Sequence, residues 1–143
     1  MVAVLTPAEQ LTDLFGPPIS VYTRAQAIED GELVDVTETA MEAGFRCPVA
    51  VTRAVWEDCC AWTERDIEAR PRQCQDEKGR LWDVVWMAAL AGRVNRGRSV
   101  ALFRVKRVPR PGHGRTQVVT LKLHIGPADD SDAAVTILQR DED

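Results

Sequence analysis

The sequence predicts an α+β fold in which N-terminal and central helices pack on a C-terminal three-stranded antiparallel β-meander. Two observations point there. Apolar residues recur with the helical period of about 3.6 over the first two thirds of the chain, then alternate with a period of 2 after Ser99. The alternating segments are joined by short proline-, glycine- and acid-rich connections at 109–115 and 126–132, which favour antiparallel neighbours. At 143 residues the chain is close to the common domain size and reads as one globular domain, 1–143.

The elements follow in order. Thr6 can cap a helix that starts at Pro7, with Glu9 completing a capping box. Leu11, Leu14 and Phe15 form its apolar side, and Gly16-Pro17-Pro18 ends it. Residues 19–22 read as a short extended piece. Thr23 caps a second helix over 24–29, with Gln26 in the box position and Gly31 as the C-terminal glycine. Residues 32–36 alternate polar and apolar, as a short strand does, and 37–43 make one or two helical turns ending at Gly44. Residues 45–51 are extended, and Pro48 places them at a sheet edge or a strand start. Thr52 caps a third helix, on which Val55, Cys59 and Trp62 share a stripe with Trp56 and Cys60 beside it.

Residues 74–79 read as a polar connection. Residues 81–95 form the strongest helix: Leu81, Val84, Val85, Ala88 and Ala91 share a face, and Trp82 and Trp86 stand one turn apart on an adjoining stripe. In the strand 99–108, Ala101, Phe103 and Val105 point one way and Leu102, Arg104 and Lys106 the other. In the strand 116–125, Val119, Leu121, Leu123 and Ile125 point inward and Thr120, Lys122 and His124 outward. Residues 134–139 form the third strand, and Asp141-Glu142-Asp143 is a frayed tail.

Charge is partitioned along the chain. Residues 84–128 hold nine bases and no acid, residues 1–83 hold 16 acids and eight bases, and residues 129–143 hold six acids and one base. The formal net charge of −4 conceals this. On the predicted hairpin, Arg104, Lys106, Lys122 and His124 project from the outer side. Arg110, His113 and Arg115 crowd its tip, and Arg93, Arg96 and Arg98 lie at the end of the helix that feeds it. All of these except His124 form the candidate partner-binding set. Such a surface suits an acidic protein surface, a nucleoprotein complex or nucleic acid itself. The alternative is a solvated face balanced by the acids of residues 29–42 or of the 129–132 turn. Phe103, the aromatic residue among these bases, has inward parity, which argues against a base-stacking platform.

Other features are read as structural. The four tryptophans pack between helices, although an exposed Trp82 or Trp86 would make an interface anchor. The cysteines at 47, 59, 60 and 74 lack metal-ligand spacing and are expected to be free thiols, the adjacent Cys59 and Cys60 structural and buried, with no metal, cofactor or catalytic residue assigned. The acid pairs Glu57-Asp58, Asp76-Glu77 and Asp129-Asp130 are the kind usually left solvated. No phosphate loop, dinucleotide fingerprint, zinc-protease motif or nucleophile elbow occurs. The longest apolar run, 84–92, is too short to span a bilayer, and no signal peptide is evident, so a cytoplasmic protein without a membrane partner is expected.

The segments Pro18-Ile19-Ser20-Val21-Tyr22-Thr23-Arg24, Asp35-Val36-Thr37, Ala43-Gly44-Phe45, Val51-Thr52-Arg53-Ala54-Val55-Trp56, Gly79-Arg80-Leu81-Trp82-Asp83 and Val119-Thr120-Leu121-Lys122 together resemble a family of small bacterial proteins of unknown function, common on plasmids, integrated elements and phages. The resemblance runs from about Pro17 to Asp143. It implies a stand-alone domain and supplies no catalytic residue. Mobile-element cargo of this size often includes anti-CRISPR and antirestriction proteins. The expected function is therefore non-enzymatic binding that inhibits a host defence complex through the basic C-terminal sheet face. A nucleic-acid-binding accessory protein and a small enzyme using a cysteine or carboxylate are the alternatives.

Overall fold

The computed structural model describes residues 22–110, 115–130 and 132–143. The helix expected from Thr6 and the extended piece up to Val21 lie outside the described residues. In chain order come helix α1 (Arg24–Glu29), strand β1 (Leu33–Asp35), helix α2 (Thr37–Glu42) and strand β2 (Val49–Thr52). Next is a helical segment that begins as α3 (Arg53–Val55) and widens into a π turn (Trp56–Cys60). Helices α4 (Glu64–Ala69) and α5 (Glu77–Val94) and strands β3 (Val100–Arg107), β4 (Gln117–Pro127) and β5 (Ala133–Gln139) complete the fold.

Among the described residues the sheet has five strands, in the order β1-β2-β5-β4-β3. Strands β3, β4 and β5 pair antiparallel, β2 lies parallel to β5, and β1 is antiparallel to β2. This corrects the expected three-stranded antiparallel meander to a five-stranded mixed sheet. The two added strands are short, and all four residues of β2 are buried, so β2 has no polar alternation to mark it. Pro48 immediately precedes β2, as a proline at a strand start does, and its carbonyl accepts from the Val135 amide at 2.9 Å, beside the β2–β5 pairing.

Alternation places Phe103, Val105, Leu121, Leu123 and Ile137 on one sheet face. There they pack with Leu81, Val84, Val85 and Ala88 of α5, Ala40 of α2, and Val55, Cys59 and Cys60. Helix α5 starts one turn before Leu81, because the Asp76 carboxylate accepts from the Gly79 amide at 2.6 Å and caps it. The C-terminal tail is not frayed. The Glu142 carboxylate accepts from the Thr52 hydroxyl at 2.8 Å and from the Gln139 amide at 3.1 Å.

The third helix ends earlier than its apolar stripe suggests. Ala61 turns to extended backbone, and its amide donates five residues back to the Trp56 carbonyl at 2.7 Å. A helix ending inside the protein leaves carbonyls in need of donors. The buried Arg80, 4% exposed, donates to the Asp58 carbonyl and to the Val108 carbonyl, both at 3.0 Å. Its guanidinium lies over the Trp62 ring, 4.8 Å from the centroid, a cation–π contact. Arg110 donates to the Glu57 carbonyl. One buried arginine thus joins the π turn, α5 and the end of β3.

Arg80→Ala removes both donations at once. Each carbonyl left without a donor costs about 1–3 kcal/mol. The urea midpoint of Arg80→Ala is therefore expected to fall well below that of an Arg65→Ala control at an exposed site on α4. Equal midpoints for the two variants would remove Arg80 from this role.

Candidate binding surface

The basic block divides into two groups. Arg107 and Arg110 are committed internally: Arg107 pairs with Asp58 at 3.0 Å and Arg110 with Asp66 at 2.8 Å. Burial of Asp66 favours its neutral acid, but the Thr63 amide and hydroxyl and the Arg110 guanidinium outweigh this and hold the carboxyl below the ordinary aspartate range. The acids that neutralise these two bases belong to the π turn and α4. They do not come from residues 29–42 or the 129–132 turn. Asp129 instead accepts from the Arg24 and Ala25 amides at the start of α1, at 2.9 and 3.0 Å.

The second group is spread over the molecule. Arg104 and Lys106 are exposed on β3, and Arg115 is exposed after the β3–β4 connection. Lys122 is half-buried on β4 and donates to the Glu142 carbonyl. Arg98 is exposed in the turn after α5. Arg93 and Arg96 flank a cleft beside Phe45 and Cys47. There the Arg93 guanidinium lies over Gly44, where φ is +114° and an added Cβ would come within 2.6 Å of it. Among the described residues none of these seven bases has a carboxylate within ion-pair distance. His113 lies outside the described residues. The fold therefore brings Arg104 and Lys106 together and directs Arg93 and Arg96 to the loop before β2.

Among the described residues strand β3 is an edge of the sheet. Beside it, against α5, runs a cavity of about 550 Å³ walled by Trp86, Met87, Val105 and Val118, with Arg104, Lys106 and Asp83 also lining it. Trp86 is 39% exposed and stacks on Trp82 with ring centroids 5.7 Å apart. Trp62 is buried under Arg80, and Trp56 and Trp82 pack against the core, whereas Trp86 is exposed. In the sequence, Trp82 and Trp86 fall on a stripe adjoining the core face, and that offset is the signal for the exposure of Trp86. Phe103 is buried as its parity requires.

Residues 14–143 match a family described as a family of unknown function (DUF6573). The chain belongs to that family. No curated protein and no solved structure is significantly similar to it. In this DUF6573 member, no helix among the described residues is long and apolar enough to cross a membrane. Also among the described residues, no three histidine, cysteine, aspartate or glutamate side chains converge as metal ligands.

The four cysteines are free thiols, two of them buried. Burial pushes the Cys59 thiol up to about 12, with Asp58 adding to the rise. Burial raises Cys60 as well, and its neighbour Cys59 adds to that. Raised thiols stay protonated at neutral pH and are poor nucleophiles. Thiol labelling of the native DUF6573 chain should modify exposed Cys74 first and half-buried Cys47 more slowly. Cys59 and Cys60 should react only on unfolding. Rapid native labelling of either would show a reactive thiol and reopen an enzymatic reading.

Proposed function

We propose that this protein is a non-enzymatic binding protein whose cations on β3 engage an acidic protein surface. One observation carries the reading: Arg104 and Lys106 stand exposed beside an exposed tryptophan, without a carboxylate partner among the described residues, while their neighbours Arg107 and Arg110 are neutralised. Exposed tryptophan and unpaired cations are what binding hot spots and electrostatic steering draw on. The raised thiols of Cys59 and Cys60 support binding over cysteine catalysis. Within this proposal, the resemblance to mobile-element cargo suggests inhibition of a host defence complex, of anti-CRISPR or antirestriction type, in the cytoplasm.

The test is reversal of Arg104 and Lys106 to glutamate. Substitutions at exposed sites usually shift stability by about 0.5 kcal/mol, so the double variant should stay folded by circular dichroism. It should lose the partner that the parent captures, and the parent's binding should weaken as salt rises. Arg110→Glu should behave differently and lower the melting temperature, because it places a second acid against buried Asp66. A folded double variant that binds as tightly as the parent would refute the proposal. Capture of nucleic acid in place of protein would favour the accessory nucleic-acid role.

A further inference from the structure

The free edge of β3 has a definite pattern. In an antiparallel ladder, pairs that exchange hydrogen bonds alternate with pairs that do not. The Ile125 amide donates to the Ser99 carbonyl at 2.8 Å, so Ser99 and Ile125 form a bonded pair. Counting along the register, Ala101, Phe103 and Val105 direct their amides and carbonyls to β4. Val100, Leu102, Arg104 and Lys106 direct theirs away from the sheet. Among the described residues β3 has no strand on that side. The edge is eight residues long, whereas β1 at the other edge has three.

We propose that an extended acidic peptide segment of the partner adds to this edge as a sixth strand. This rests on the binding reading above and specifies how the partner docks. Strand addition supplies backbone hydrogen bonds, and side chains of alternating direction supply selectivity. On an added strand, one set of side chains faces the α5 side and enters the cavity at Trp86 and Met87, where apolar groups fit. The other set lies on the outer face beside Arg104 and Lys106, where carboxylates fit. Asp83, on the α5 wall, further disfavours acids in the first set. The preferred segment therefore alternates acidic and apolar residues.

The same charges disfavour a second copy of the chain as occupant. Pairing of two β3 strands about their centres puts Arg104 and Lys106 of both copies opposite or diagonal to one another on one sheet face, where like charges repel.

The probe is an end-blocked peptide of β3's length that alternates glutamate with valine. Binding to the full chain is followed by amide chemical shifts. The expected result is saturable, salt-sensitive binding with shifts along Val100–Arg107 and at the Trp86 indole. N-methylation of alternate peptide amides blocks the backbone bonds and should weaken binding about tenfold or more, as should Trp86→Ala and the Arg104→Glu/Lys106→Glu variant. An acidic peptide that binds equally well when N-methylated, with shifts at Lys122 and His124 and none on β3, would overturn strand addition and leave the acidic-partner reading standing. No binding of the peptide, together with unchanged partner capture by the double variant, would defeat both. Concentration-dependent dimerisation through β3 would overturn the inference in favour of a second copy, and preference for a single-stranded oligonucleotide over the peptide would overturn it in favour of nucleic acid.

Discussion

A helix that ends within the protein interior must find donors for its last carbonyls, and here arginines from two later segments supply them. Arg80 serves the Asp58 carbonyl and Arg110 the Glu57 carbonyl, while Arg107 pairs with the Asp58 side chain. Cations at a helix C-terminus also complement its dipole. Burying the Arg80 guanidinium is costly, and burial lowers its tendency to hold a proton. Two carbonyls and the Trp62 face offset that cost. The result couples segments far apart in sequence: the π turn, the first turns of α5, and the end of β3 at Val108.

That coupling explains why Arg107 and Arg110 are structural while Arg104 and Lys106 are exposed. Past Lys106 the chain runs into the arginine cluster, so Arg107 and Arg110 turn inward to acids of the π turn and α4. Arg104 and Lys106 precede the cluster and have outward parity, so nothing in it reaches them. Anchoring Val108 also ties down the chain just past β3, whose outer side has no strand among the described residues. A pre-ordered edge loses less conformational freedom on binding than a mobile one. The surface proposed for binding is thus positioned by the interaction that closes the fold.

Much of this was legible in local sequence. The Thr23–Gln26 capping box, the inward parity of Phe103, Val105, Leu121 and Leu123, and the core stripe of α5 all follow from short-range rules. What escaped was non-local. The burial of β2 depends on a parallel partner, β5, from the other end of the chain, and four buried residues carry no alternation to announce it. The start of α5 was set by Asp76, which had been read as one of a solvated pair of acids. Nothing local marks Arg80, since its role arises from a carbonyl 22 residues earlier. Charge counting found the basic block but could not separate Arg107 and Arg110 from Arg104 and Lys106, because pairing is decided in space.

If β3 presents an open, ordered edge, native-state hydrogen exchange of its amides will reveal it. In the free chain, strong protection is expected at Ala101, Phe103 and Val105, which donate to β4, and fast exchange at Leu102, Arg104 and Lys106, which face outward. Strong protection at all six in the free chain would show the edge already covered by the chain's own residues or by a second copy, and β3 would not be open.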